Sequence, residues 1–525
     1  MLCDYRDFLY KPKHQDLQVY ERVVPDDHRL RLARQVIDFD SFEEILKTGY
    51  CVEMGQPAVP PVIAFKLEML KYWYNLSDRE VVARAQTDLA FRYFLNLPIC
   101  LQLPHFTLLT RFRGRLGEES YKQLFHGVLQ QARKHGLVKD QLRLKDATHI
   151  LGNISIPSTL ALAAQIRESL IDSLEAINPQ AAEGFRIAAT VVREQTENQN
   201  DSLRLQQRIE LIVDILQTVV EIPDQDKLTK RQRQKLQESI ELAKRLLDQH
   251  SDPNTPNKLR STTDPEASRG KHGVFYDGYV LDVAMDAESE LITAINVLSA
   301  GGNEAQSAVQ LIEQEHEHQH NQVQAISIDG AGYNGEMIRR FEGDKGSGVQ
   351  GLGVTVFVPP KKDRVDVAIP ASAFTVSEDG QSITCPEGKK STYHSQQDNS
   401  VIYRFAKSTC QDCPLQSACT PKLGGTPFGR TVSKSEYTAE YERVKQRATG
   451  PEFAEVRRKH PAIERKLNEC VNHHGARRAR YWGRAKLAVQ QYGVAMVVNT
   501  KRMIKLLTMA SKRAEGSTLA MSAQG

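Results

Sequence analysis

The chain has 525 residues, 40% hydrophobic and 26% charged, with a net charge of +4. That length holds two to four domains and a sizeable core, in the balance of an ordinary globular protein. No apolar run reaches a membrane span, and the stretch MLCDYRDFLYKPKHQDL is too polar for a secretory signal, so a cytoplasmic protein without membrane contact is expected.

Residues 1–138 read as helical. PPVIAFKLEMLKYWYNLSDREVVARAQTDLAFRYFLNL alternates apolar and polar residues at helical spacing. Ser77 followed by Glu80 predicts a capping box opening a helix at Asp78. Thr107 is a candidate cap for the next helix, which presents Arg111, Arg113 and Arg115 close together. Two short helices with a basic second one suit helix-turn-helix DNA binding, or simple packing.

The segment QLRLKDATHILGN predicts a strand, with Leu142, Leu144 and Asp146 on alternate positions. Residues 158–250 are helical again; Leu205, Ile209, Ile212, Leu216 and Val219 mark an amphipathic helix packing within the chain. Residues 251–269 read as a Pro/Ser/Thr-rich linker. Tyr276–Met285 and Leu291–Leu298 predict a hairpin, Glu304–His320 a helix, VQAISIDGAGYNGEMIRRF a strand, Gly-rich turn and helix, and GLGVTVFVPP a further strand. This order is a mixed α/β pattern around one central sheet. A loop-rich cysteine segment, 361–432, and a helical segment, 436–513, follow. From Cys470 to Ala514 no acidic residue occurs, while Arg477, Arg478, Arg480, Arg484 and Lys486 crowd its start; such a block suits a phosphate backbone or a solvated basic face.

Two carboxylates stand out. Asp146 occupies an in-facing strand position, where a charge is costly unless compensated. Asp329 ends the apolar run AISI before Gly330, at the carboxyl end of a buried strand, where open α/β sheets place ligands. Each is also compatible with a plain turn residue. Glu464, on the helix HPAIERKLNECVNHHG, flanks the apolar face of Ile463 and Leu467; Glu455 and Glu469 are its neighbours and rivals. Clustered carboxylates repel each other until bound cations neutralise them, and two divalent ions about 3.5–4 Å apart equip such a site for phosphodiester chemistry.

Cys385, Cys410, Cys413 and Cys419 combine one C-x2-C pair with two further thiols, which fits a tetrahedral structural Zn²⁺ site or four reduced cysteines packing a small subdomain. The run EHEHQH places His316 and His320 on one helix face, but its composition favours a solvated helix end. No H-E-x-x-H pattern supports a zinc hydrolase.

Taken in order, IDFDSFEEILKTGY, LKYWYNLSDREVVARAQTDLAFRYFLNLP, PHFTLLTRFRGRL, KDATHILGN, YDGYVLDVAMD, SIDGAGYNGE and IERKLNECVNHHGARRARYWGRAK…VVNTKRM resemble bacterial insertion-sequence transposases of the DDE type. The resemblance runs from about Asp38 to Leu507. It implies an RNase H-like mixed sheet flanked by helices, with a helical N-terminal DNA-binding domain (1–138), a catalytic domain (139–515) interrupted by a helical insertion (158–261) and the Cys-rich insertion (361–432), and a disordered tail (516–525). It further implies a catalytic triad of Asp146, Asp329 and Glu464 holding two Mg²⁺ or Mn²⁺ ions. DNA cleavage and strand transfer at double-stranded element ends, by a homodimer or higher oligomer, would follow. Tyr333, Arg457, Arg477, Arg478, Arg480 and Lys486 become candidate DNA contacts beside Arg111, Arg113 and Arg115. A nuclease that cuts without joining, and an inactive DNA-binding remnant, remain alternatives. Two departures are visible: Ala147 replaces a usual glycine, and Val471–His474 occupy the place of a lysine that follows the glutamate in many relatives.

Overall fold

The structure is a computed structural model that describes residues 9–51, 58–221, 228–343, 348–361, 368–377, 379–397, 399–420 and 427–522, with side chains as far as 512. Parts of both expected insertions, 222–227, 362–367 and 421–426, lie outside the described residues. The N-terminal part is helical: α1 (His14–Val23), α2 (Arg29–Val36), α3 (Glu43–Lys47), α4 (Pro61–Trp73), α5 (Asp78–Thr87), α6 (Leu89–Leu95) and α7 (Thr107–Lys134). The capping box forms as expected. Ser77 Oγ accepts from the Glu80 N–H at 3.2 Å, and the Glu80 carboxylate accepts from the Ser77 N–H at 2.8 Å. Thr107 does not cap α7. It is already the first helical residue, and its own N–H donates to His105 Nδ1 at 3.4 Å.

After β1 (Leu142–Leu151) come four helices, α8 (Thr159–Glu175), α9 (Pro179–Gln195), α10 (Asp201–Glu221) and α11 (Lys230–Ser251). They enclose a core of their own, to which Ile209, Ile212, Leu216 and Val219 of α10 contribute, so the amphipathic stripe is satisfied within the chain. The sheet then continues with β2 (Ser268–His272), β3 (Val274–Asp286), β4 (Ile292–Ser299), α12 (Glu304–Gln319), β5 (Ala325–Ser327), α13 (Gly335–Glu342) and β6 (Thr355–Phe357). Its order is β2-β3-β1-β5-β6, with β4 also on β3. β3 runs antiparallel to β1, β2 and β4, whereas β1, β5 and β6 are parallel. The linker expected over 251–269 runs into β2 at Ser268 and Arg269. SRGKH carries little strand propensity and becomes a strand by pairing with β3, Ser268 opposite Gly278.

The cysteine segment is more ordered than loop-rich composition suggests. β7 (Thr375–Val376), β8 (Ile383–Thr384) and β9 (Lys390–Ser391) form one small sheet; β10 (His394–Gln397), β11 (Ser400–Arg404) and β12 (Thr431–Ser435) form another, with the short helices α14 (Lys407–Gln411) and α15 (Gln416–Cys419) between β11 and β12. The chain ends in α16 (Thr438–Ala448), α17 (Pro451–Lys459), α18 (Pro461–His473) and α19 (Arg484–Ser522). The tail expected from 516 thus begins within the last helix, and 523–525 lie outside the described residues. Among the described residues no helix is long and apolar enough to cross a membrane.

One core joins distant parts of the chain. Phe65, Leu70, Phe94 and Leu124 of the N-terminal helices pack with Leu144, Ile150, Leu281 and Ile295 of the sheet and with Leu487, Val494, Val498 and Met503 of α19. Leu142 and Leu144 give β1 its apolar face. The opposite face carries two buried cations. Arg143 meets Glu315 of α12, Asp286 and Asp140, with Nε–Oε2, Nη1–Oδ1 and Nη2–Oδ1 distances all 2.9 Å. Lys145 meets Asp282 at 3.0 Å. The EHEHQH run is therefore no solvated helix end: Glu315 is buried against Arg143, His316 Nε2 accepts from the Val323 N–H at 3.2 Å, and His318 stacks on His126.

Candidate active site

The register places the two aspartates side by side. Leu144 of β1 pairs with Ser327 of the parallel strand β5. Asp146 and Asp329 each lie two residues further on, at the end of β5 where the sheet opens. Strand alternation puts Asp146 on the face of Leu144, and the helix α18, carrying Glu464, packs against β1. Burial pushes the Asp146 carboxyl up to about 6, and the negative charges of Asp329 and Glu464 add to the rise, while the Ala147 N–H, donating at 2.8 Å, opposes it. Asp146 thus lies within the fields of both other carboxylates, and Glu464 itself is exposed.

Two groups that sequence reasoning passed over, and one that it took for a DNA contact, surround the cluster. Lys145 is buried, which favours its neutral form, but Asp282 and Glu304 more than compensate and raise its pKa; Asp329 adds to this. Arg457 donates to the Ile328 carbonyl at 2.9 Å and lies within the fields of Asp329, Glu464 and Asp146. His460, brought down to about 4 by burial and by Arg457, contacts Ser327 Oγ at 3.1 Å. The only sequence signals for Lys145 and His460 are adjacency, Lys145 to Asp146 and His460 to the α18 start. Among the described residues no three His, Cys, Asp or Glu side chains already stand in position to hold a metal ion. The donor type nonetheless suits a hard divalent cation, whose charge would offset the burial and the neighbouring charges that raise Asp146.

The rival glutamates are engaged elsewhere. Glu455 is exposed, 3.8 Å from Lys459. Glu469 is 3.0 Å from Lys466 and 2.8 Å from Lys501, and these lysines outweigh burial to hold it down at about 2. Its folded pKa lies below the ordinary 4.5, so its contribution is full above pH 4.5 and fades as pH falls through 4.5 toward 2. Glu469→Gln is expected to cost about 1–3 kcal/mol at pH 7, with the gap from wild type closing in melts recorded toward pH 3. A pH-independent gap would contradict the ion-pair origin.

The cationic candidates divide. Arg113 is committed inward, to Glu68 and Asp78. Arg480 is held by Asn75 and the Leu76 carbonyl, and Arg477 by Thr148 and the His149 carbonyl. Tyr333 stacks on Tyr441. Arg111, Arg115, Arg478 and Lys486 are exposed. His474, in the place of the missing lysine, is buried and bonded to the Tyr72 carbonyl at 2.8 Å, and Lys501 reaches its Nε2 at 3.0 Å. A cleft of ≈ 820 Å³ separates the start of α5 from the segment 478–481; Arg79, Phe106 and Tyr481 line it, and none of the three was singled out from the sequence.

The four clustered cysteines line one cavity of ≈ 30 Å³ beneath Phe374 and Phe405. Burial raises the Cys419 thiol, and Cys410 and Cys413 add to the rise. The Arg430 N–H donates to Cys410 Sγ at 3.3 Å.

Comparison with known proteins gives two family matches, Transposase domain (DUF772) over residues 18–115 and Transposase DDE domain over residues 384–504. No curated protein and no solved structure matches the chain. The first match runs from α1 into α7, and the second takes in the cysteine cluster, Glu464 and the core-forming part of α19. These two matches, in this order along the chain, support an insertion-sequence transposase of the DDE type.

Proposed function

We propose that this transposase binds the ends of its element as double-stranded DNA, cuts them and joins the freed 3′ ends to target DNA, on an RNase H-like core. The observation that carries the reading is the level placement of Asp146 on β1 and Asp329 just past the end of the adjacent parallel strand β5, with the Glu464 charge acting on the same point. Asp146, Asp329 and Glu464 would hold the two Mg²⁺ or Mn²⁺ ions. When bound, such a pair supplies charge neutralisation at phosphorus and at the attacking and departing oxygens. Lys145 and Arg457 add fixed positive charge beside the carboxylates. The exposed Arg478 and Lys486 offer the phosphate backbone an electrostatic rail. Pairing of two DNA ends calls for at least a dimer.

The test is wild-type protein with Mg²⁺ and duplexes carrying the DNA that flanks the gene. Joined products support the proposal. Cutting without joining returns the nuclease reading, and binding without chemistry returns the DNA-binding remnant.

Cys385, Cys410, Cys413 and Cys419 are proposed to hold one structural Zn²⁺, because four soft donors face one cavity. Elemental analysis should then find about one zinc per chain, lost in Cys413→Ser together with protection of the 368–435 segment from protease. Zinc-free wild type of unchanged protease resistance would refute the site.

A further inference from the structure

The β2–β3 hairpin ends in two largely exposed apolar side chains. Val274 is 74% exposed and Phe275 66%, the highest values for large apolar side chains among the described residues. Isolated exposed apolar residues need no explanation, but two adjacent ones at a projecting tip do. The tip turns at Gly273, whose φ of +72° a side chain would strain. It pairs Lys271 with Phe275 and His272 with Val274. The cations of Arg269 and Lys271 lie over the Phe275 ring, at 5.8 and 5.4 Å. Between residues 268 and 278 the one carboxylate is Asp277, and it is shared with Arg260 at 2.8 Å and Arg269 at 3.2 Å.

Position matters as much as composition. β3 pairs with β1 as far as Leu151 opposite Gly278, so residues 274–277 project past the end of the strand that bears Asp146. At the hairpin base the Gly152 N–H donates to the Asp277 carbonyl, Leu151 bridges to Arg478, and Trp482 Nε1 donates to the Asn153 carbonyl. The base of the hairpin that carries the apolar tip therefore adjoins the basic stretch that begins at Arg477.

We propose that this tip is a wedge for double-stranded DNA: Val274 and Phe275 insert at a base step while Lys271 and Arg269 hold the flanking phosphates. Size separates this occupant from a protein. A stable protein interface buries about 800 Å² per partner, whereas a Phe offers only about 150–250 Å². One or two apolar side chains flanked by cations suffice to unstack a base step. The inference rests on DNA being the substrate, and it adds where and how the duplex is deformed.

The experiment places 2-aminopurine, one position at a time, in duplexes cut from the DNA flanking the gene, and titrates them with the full chain. Wild type should raise the fluorescence severalfold at one or two neighbouring positions. The double variant Val274→Ser/Phe275→Ser, with an unchanged circular dichroism spectrum and melt, should still bind and lose that rise, and Phe275→Trp should retain it. Bound wild type with no rise at any position overturns the wedge, as does a rise that survives in the double variant. A changed molecular mass of the free double variant with the rise intact assigns the tip to a protein contact instead. Wild type that binds no duplex at low salt overturns the DNA reading itself, an outcome distinct from binding without unstacking.

Discussion

Alanine at Asp146, Asp329 or Glu464 is expected to abolish Mg²⁺-dependent cleavage and joining while leaving DNA binding in place. Losing a ligand of the proposed ion pair removes several kcal/mol of transition-state stabilisation, and about 4 kcal/mol corresponds to about a thousandfold in rate. The stability readout should move the other way. Burial and the two neighbouring carboxylates disfavour the Asp146 charge. Asp146→Asn should therefore melt higher than wild type in chelator, by up to about 3 kcal/mol, and lose that advantage when Mg²⁺ is added. A variant that is inactive and also less stable would point to a structural role for Asp146. Activity surviving in Glu464→Ala alone would move the third ligand, although Glu469 is already neutralised by Lys466 and Lys501.

The second large effect belongs to Arg143. Its side chain is fully buried between Glu315, also fully buried, and Asp286. Arg143→Met leaves Asp286 without its cation and Glu315 with Arg133 alone, at 3.2 Å, which costs about 3–5 kcal/mol. The expected result is a melt lowered enough to reduce soluble yield, with Arg143→Met/Glu315→Leu recovering part of the loss because the two changes are coupled. A single variant within about 0.5 kcal/mol of wild type would show the cluster to be stability-neutral. This cluster also fixes α12 against β1, so its loss should loosen the sheet beneath the carboxylates.

Period and punctuation made much of the fold legible. The capping box at Ser77, the β3–β4 hairpin and the strand–turn–helix at Asp329 lie where spacing puts them, since each depends on near neighbours. β2 was hidden because its pairing, not its residues, makes it a strand. The buried pairs of Arg143 and Lys145 were hidden because alternation predicts a polar face toward water, and only α12, far along the chain, covers it. The aspartates could be singled out by strand position. Glu464 could not, because one helical glutamate differs from the next only through what the helix packs against.

The shared core has a consequence for synthesis on the ribosome. Helices α2 to α7, made early, expose apolar faces that α19 helps to cover, and Gly493 of α19 is glycine where any Cβ would collide with the Tyr72 ring. These early helices must wait for nearly the whole chain before they can close. A product halted before residue 484 lacks that closing element, so its apolar faces stay open and it is expected to be cleared by proteolysis.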